Sequence, residues 1–227
     1  MIGGQGFVGA RVVRQLLEDG HEVSCLEPRT RKGRLDAVSV EMIEGDVRDG
    51  ELIASLLAKS RDDVVLPLQF IRHAEVVPDH GTSVVALRLP IVYGPGIRLG
   101  GGDVVATLHA AVHGRAATLT HEPAQRLCIA NVDDVAATIA VVATGARPRL
   151  DVYEVGGVVT SYGHIASLTE ALVEGAKVVV EPVPSDPDGE LAYLVSNARL
   201  VDEFGVSHRP LEVGLQQYID EERMVAA

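Results

Sequence analysis

Cysteine is nearly missing from this chain: 227 residues hold two, Cys25 and Cys128. They lie far apart with no further cysteine near either, which excludes a disulfide framework and offers no zinc-ligand spacing; a reducing cytosolic compartment is the expectation. Long apolar runs are missing too. No stretch approaches the roughly 18 residues that a membrane-spanning helix needs, and the first residues carry no basic region of a secretory signal. Positive charge is short, with 20 basic against 32 acidic side chains and a formal net charge of −12. Nucleic-acid grooves and anionic membrane surfaces want the opposite sign, so neither is an expected partner. There is no low-complexity segment, no internal repeat and no Gly-x-Ser-x-Gly elbow. His109 and His113 stand four apart on an expected helix, the spacing of a two-histidine metal face. No glutamate follows His109 and no third ligand is in view, so the pair reads as partly exposed helix histidines and no metal is expected.

What is present begins at the first residues, Met1-Ile2-Gly3-Gly4-Gln5-Gly6-Phe7-Val8-Gly9. Gly3, Gly6 and Gly9 precede a helical pattern in which Val8, Val12, Val13, Leu16 and Leu17 recur at three- and four-residue intervals. This is the pattern of a strand-to-helix turn on which a pyrophosphate can rest. Gly3 makes the turn, Gly6 lets the backbone approach the anion, and Gly9 lets the helix pack closely on its strand. The free N–H groups and positive end of the helix then face the phosphate. The alternative is an ordinary turn, so the structural context decides. A helix over 11–19, closed by Gly20 and His21, leads into an apolar strand over 22–27 that ends at Glu27. A carboxylate about 20 residues past the glycines is placed to accept hydrogen bonds from a ribose diol. Arg29, two residues on, would instead suit a 2′-phosphate, and a solvated surface pair is the alternative for both. A short strand over 38–43 is followed by Gly45-Asp46-Val47-Arg48-Asp49 and a helix over 51–57. Asp46 or Asp49 could serve as its N-cap.

With these three features aligned, the sequence resembles the extended short-chain dehydrogenase/reductase superfamily, in its NAD-dependent epimerase/dehydratase group. The resemblance continues through the strand over 82–89 into Pro90-Ile91-Val92-Tyr93-Gly94-Pro95-Gly96, similar to the family's Arg-Leu-x-x-Val-Tyr-Gly-Pro-Gly. It continues through Asn131-Val132-Asp133-Asp134-Val135-Ala136, similar to its His-Val-Asp-Asp-Val-Ala helix start, where Asp133 and Asp134 read most simply as capping charges. At 152–156 the family's Tyr-Asn-Val-Gly is matched with Glu154 in place of Asn. Helices over 103–113, 163–172 and 211–224 and a strand over 178–182 complete the expected pattern.

The resemblance implies an α/β fold, a doubly wound parallel Rossmann-like sheet with a small C-terminal substrate lobe. Residues 1–96 would form the dinucleotide-binding part. Residues 97–227 would form mostly the substrate-binding lobe with returning Rossmann elements, all in a single compact unit. It implies NAD or NADP as cofactor, held by Gly3, Gly6, Phe7, Val8, Gly9, Glu27, Arg29, Asp46 and Val47, with Asp46 at the adenine. It implies a small-molecule substrate near Pro90, Tyr93, Arg98 and Arg126, and allows a homodimer. Arg126 stands close to a family arginine that meets a substrate diphosphate, one residue out of register, and a surface salt bridge is its alternative. The acidic stretch at 184–189, where the family often carries another phosphate-binding arginine, argues against a nucleotide-diphosphate sugar.

Two parts of the family pattern are missing. The family's acid/base is a tyrosine with a lysine four residues on, whose charge lowers the phenol pKa from about 10 toward the working range. Tyr93, Tyr153, Tyr162, Tyr193 and Tyr218 are followed at that spacing by Ile97, Gly157, Ala166, Asn197 and Glu222, and Lys32, Lys59 and Lys177 are the only lysines. If residues 71–75 match the tail of the family's catalytic helix, Pro67 and Ile71 occupy the tyrosine and lysine places, and no catalytic base is assigned. Second, Gly3 follows only Met1 and Ile2, where a buried parallel strand usually has about 4 to 8 apolar residues. A truncated or internally deleted protein, a strand borrowed from a partner, and segments outside the given sequence are the three accounts. The expected activity is that of an NAD(P)-dependent epimerase/dehydratase-like oxidoreductase or isomerase on a sugar-like or secondary-metabolite alcohol. The alternatives are a catalytically inactive or repurposed NAD(P)-binding relative, and a non-redox lyase or cyclase using the same cleft.

Overall fold

The computed structural model describes residues 1–28, 33–59, 64–68, 85–97, 102–183 and 194–226. Two compact units emerge, one of residues 1–85 and 136–149, the other of residues 86–135 and 150–227.

In the first unit the order is α1 (Phe7–Glu18), β1 (Ser24–Glu27), β2 (Glu41–Glu44) and α2 (Gly50–Lys59), with the later residues of α4 (Val132–Thr144). β1 and β2 pair in parallel, Cys25 opposite Met42 and Leu26 opposite Ile43. On the other side of β1 the short stretch before Gly3 takes a strand place. Ile2 bridges in parallel to both Leu26 and Pro67. Its N–H donates to Leu66 O at 2.9 Å and its carbonyl accepts from Leu68 N at 2.9 Å, while Met1 O accepts from Leu26 N at 2.8 Å. Two residues thus pair toward both neighbours, which avoids the cost of about 1–3 kcal/mol for each buried unpaired backbone group. Pro67 is therefore extended strand and not the first member of a helical pair four residues apart; Ile71 lies outside the described residues.

α1 is amphipathic because Ala10, Val12, Val13 and Leu16 fall on one face, and all four are buried. Ala10 and Val13 pack with Cys25 and Leu35, with Leu17, Val23 and Met42 around them. Full burial of a side chain of valine size contributes roughly 1.5–3 kcal/mol. Asp49 ends the question of the α2 cap: its Oδ1 accepts from Leu52 N at 3.0 Å, three residues into the helix.

The second unit holds β3 (Ala86–Arg88), β4 (Ile91–Tyr93), α3 (Gly102–Val112), β5 (Ala117–Leu119), β6 (Arg126–Asn131), β7 (Val152–Glu154), β8 (Val158–Ser161), α5 (Tyr162–Leu172), β9 (Val178–Val180), α6 (Ala198–Phe204) and α7 (Leu211–Ala226). β4, β6 and β8 form one sheet, with β4 parallel and β8 antiparallel to β6. β3 pairs in parallel with β7, and β5 with β9. Residues 90–96, matched to the family's Val-Tyr-Gly-Pro-Gly segment, contain a strand: Ile91, Val92 and Tyr93 suit a pleated, half-buried surface. The core joins Leu127 and Ile129 of β6 to Leu108 of α3, Ile165 of α5, and Leu215 and Ile219 of α7. Buried threonines stay satisfied, Thr107 Oγ1 donating to Thr118 O at 2.9 Å and Thr169 Oγ1 to Ile165 O at 2.7 Å.

One packing contact in this core is readily tested. Gly214 lies on α7, where alanine would ordinarily be favoured by about 1 kcal/mol. A Cβ there would fall on the Tyr93 hydroxyl and within 3.2 Å of its Cζ. Tyr93 is 2% exposed, so the ring has nowhere to go. Gly214→Ala is expected to destabilise by about 1–3 kcal/mol, and Tyr93→Phe in the same chain to recover part of the loss. Urea denaturation of the two single variants and the double variant checks this; additive effects would disprove the contact.

Candidate functional site

The glycine turn is built by its own carbonyls. Gly3 sits at φ +81°, in the left-handed region. Its oxygen accepts from Gly6 N at 3.0 Å. Gly9 then passes so near that turn that a Cβ would strike Gly3 O and lie 3.0 Å from Gly4 Cα. Gly6 is exposed and stands at the N-cap of α1 without a capping side chain. The first-turn amides of Phe7 and Val8, both half-buried, have no intrahelical acceptor and carry the positive end of the helix. A turn with glycine at 3, 4 and 6 beside uncapped helix amides fits an anionic pyrophosphate.

Glu27 ends β1 and is 8% exposed. Its Oε1 accepts from Gln5 N at 2.8 Å, so the carboxylate holds the glycine turn. A carboxylate retains further lone pairs beyond that bond. Arg29 lies outside the described residues. Asp46 is half-buried and engaged by Arg48, whose Nε donates to Oδ1 at 2.9 Å and whose backbone N–H donates to the same oxygen at 2.9 Å. The side-chain hydrogen bonds from Arg48, followed by the backbone one, hold the Asp46 carboxyl down at about 2. Val47 beside it is half-buried.

In the second unit the aspartates in the first turn of α4 also bind side chains from farther along the chain. Asn131 is the cap: its Oδ1 accepts from Asp133 N at 2.8 Å. Asp134 accepts from Arg209, at Oδ2 from the backbone N at 3.0 Å and at Oδ1 from Nε at 2.8 Å, with Nη2 also 2.8 Å away. Asp133 accepts from Gln217 Nε2 at 2.9 Å, and Arg209 Nη1 donates to Gln217 Oε1. Burial works to lower the Arg209 pKa, but the hydrogen bonds and charge of Asp134 outweigh it and raise the pKa. Beside it, His208 has both ring nitrogens buried without a partner among the described residues, and burial pushes its pKa down. The Asn131 cap was readable from an Asn directly before a helical pattern. Arg209 and Gln217 had no local signal, since they meet Asp133 and Asp134 only through the fold.

Pro90 is half-buried and Arg126 is exposed at the start of β6. Arg98 lies outside the described residues. Glu154 pairs with Arg88 across β3 and β7 at 3.1 Å, an exposed contact worth less than about 1 kcal/mol. Tyr193 also lies outside the described residues, while Tyr93, Tyr153, Tyr162 and Tyr218 are buried at 2%, 1%, 5% and 1% exposure. Tyr153 donates to Glu203 Oε2 at 2.6 Å, and Tyr162 stacks on His121 at 3.8 Å between centroids. Burial pushes the Tyr93 and Tyr218 phenols up, the opposite of what a base needs. Neither Tyr93 nor Tyr218 therefore presents an activated phenol.

Comparison with known proteins places this geometry. The model of the NAD dependent epimerase/dehydratase family matches residues 1–77. A Synechocystis protein described as a dihydroflavonol 4-reductase is 43% identical over 51 residues, which is 22% of this chain and 15% of that protein's length. The UDP-glucose 4-epimerase of Thermotoga maritima, solved with UDP-glucose, superposes with a TM-score of 0.78 at 16% identity, covering 100% of this chain and 98% of the other. The UDP-glucuronic acid 4-epimerase of Bacillus cereus, in complex with UDP-glucuronic acid and NAD, gives 0.76 at 14% identity over 99% and 98%. The dTDP-glucose 4,6-dehydratase of Bacillus anthracis, in complex with NAD, gives 0.74 at 15% identity over 98% and 95%. The family model thus covers the N-terminal third of the chain, and the whole chain has the Rossmann-like α/β fold of these solved structures. Among the described residues no helix is long and apolar enough to cross a membrane.

Proposed function

We propose that this chain binds NAD or NADP on the Gly3–Gly6–Gly9 turn and acts as an epimerase/dehydratase-like oxidoreductase or isomerase on a sugar-like or secondary-metabolite alcohol. The observation that carries the reading is the turn itself: a glycine-rich cradle, an uncapped helix start, and the Glu27 carboxylate bonded to Gln5 N–H. Gly3, Gly6, Phe7, Val8 and Gly9 would hold the pyrophosphate. Glu27 would fix the turn and accept a ribose hydroxyl, and its negative charge favours NAD over the 2′-phosphorylated form. Asp46 and Val47 would face the adenine, although Arg48 must then share or yield the Asp46 carboxylate. When bound, the nicotinamide supplies a hydride acceptor for the alcohol carbon.

A second reading is a relative that keeps the dinucleotide and has lost the redox step. The burial of the four described tyrosines favours it, since the proton of the alcohol needs an accessible base.

Titration calorimetry with NAD and NADP, followed by turnover with candidate alcohols read as nicotinamide reduction, tests both. Expected is saturable NAD binding that Glu27→Gln weakens about tenfold or more, as loss of a charge-assisted bond predicts. No binding of either nucleotide in folded protein overturns the proposal. Binding without turnover on any alcohol selects the second reading.

A further inference from the structure

We propose that His109, His113 and Glu222 form a binding site for a divalent transition ion of the zinc class, with three protein ligands and a fourth position open to solvent. His109 lies in the last turn of α3. His113 follows its end, and the turn persists, since His113 N still donates to His109 O at 3.2 Å. The third group comes from α7, far along the sequence, which is why spacing alone left the two histidines without one. Glu222 Oε2 lies 3.3 Å from His109 Nδ1 and 3.6 Å from His113 Nε2. All three ligand atoms lie within 4.8 Å of one another.

Those separations suit a metal. Zinc bonds of about 2.0–2.2 Å to nitrogen and oxygen, set at tetrahedral angles, put neighbouring ligand atoms roughly 3.3–3.6 Å apart. Both nitrogen–oxygen separations already have that value. The two rings meet edge to face with centroids 4.4 Å apart. The Glu222 side chain is 11% exposed, so its charge is largely cut off from water and gains from a counter-charge. Two imidazoles and one carboxylate select zinc, cobalt, nickel or copper over magnesium or calcium, which prefer oxygen ligands. Outside the ligands, Gly96 N lies 3.4 Å from Glu222 Oε1 and steadies the second carboxylate oxygen. The His109 side chain is 47% exposed and leaves the solvent side clear. An ion there would clip α7 to the end of α3.

The test uses the whole chain, stripped with EDTA and titrated with zinc by calorimetry and with cobalt by visible absorption. Expected is one ion per chain, a cobalt spectrum of low coordination number, and a melting temperature raised by about 5 °C at saturating zinc. His109→Ala and Glu222→Gln should each weaken binding at least about tenfold. His109→Ala is the safer variant for folding because that ring is the most exposed of the three, and circular dichroism verifies the fold. His121→Ala, which removes a histidine 3.5 Å from Asp103, a carboxylate that Thr120 also engages, should leave binding unchanged. Absence of zinc binding at concentrations on the order of 0.1 mM, or equal binding by His109→Ala and the unaltered chain, overturns the proposal.

Discussion

Replacing Arg209 with alanine is expected to cost about 3–5 kcal/mol of stability, because it removes the guanidinium from a largely buried carboxylate. The Asp134 side chain is 11% exposed, and the Arg209 guanidinium supplies both Nε and Nη2 to one of its oxygens. The backbone N–H to Oδ2 would survive the substitution, but a neutral donor does not replace the lost counter-charge. Surface pairs of the same residue types contribute less than about 1 kcal/mol, so the size of the loss separates the two situations. Arg209→Lys should recover only part of it, since an ammonium lacks the planar fork and the reach to Gln217. Replacing both partners together, Asp134→Asn with Arg209→Met, should cost clearly less than Arg209→Ala alone. Urea unfolding of the set checks this, and a loss below about 1 kcal/mol for Arg209→Ala would mean the pair is solvated.

Gly9→Ala carries the second large effect, and here two rules predict opposite signs. Helix propensity favours alanine by about 1 kcal/mol at a position inside α1. Packing opposes it, because the added methyl would strike Gly3 O and approach Gly4 Cα at 3.0 Å. Both neighbours are backbone of a turn fixed by the left-handed Gly3 and by the Glu27–Gln5 bond, so neither moves cheaply. Packing wins, with an expected net destabilisation of about 1–3 kcal/mol. If the turn holds the pyrophosphate, NAD affinity should also fall about 100-fold, since donors displaced by an ångström no longer converge on the phosphate. Thermal unfolding gives the first quantity and nucleotide titration the second. A variant that is more stable and binds NAD normally would remove the turn from the site.

The glycine turn, the amphipathic α1 and the acidic end of β1 were legible because each is a short-range pattern. A helix writes its face at three- and four-residue intervals, and a phosphate turn shows where side chains must be missing. Asp49 was likewise recoverable as one of two offered caps. The Asp134–Arg209 pair was not, because a charge at a helix start looks the same whether it faces solvent or a distant guanidinium. Nor was the place of Glu222, which one polar position on an amphipathic helix does not disclose. β4 was hidden for another reason: three residues between Pro90 and Gly94 are too few to show alternation.

The closing helix of the second unit has a bearing on the order in which that unit forms. Leu211, Leu215, Tyr218 and Ile219 of α7 belong to its core, and Arg209 neutralises Asp134 some way back along the chain. During synthesis, at about 5–20 residues per second, the apolar faces of β6 and α5 are made before the segment that covers them. A chain cut before residue 209 is therefore expected to leave the apolar faces of β6 and α5 uncovered.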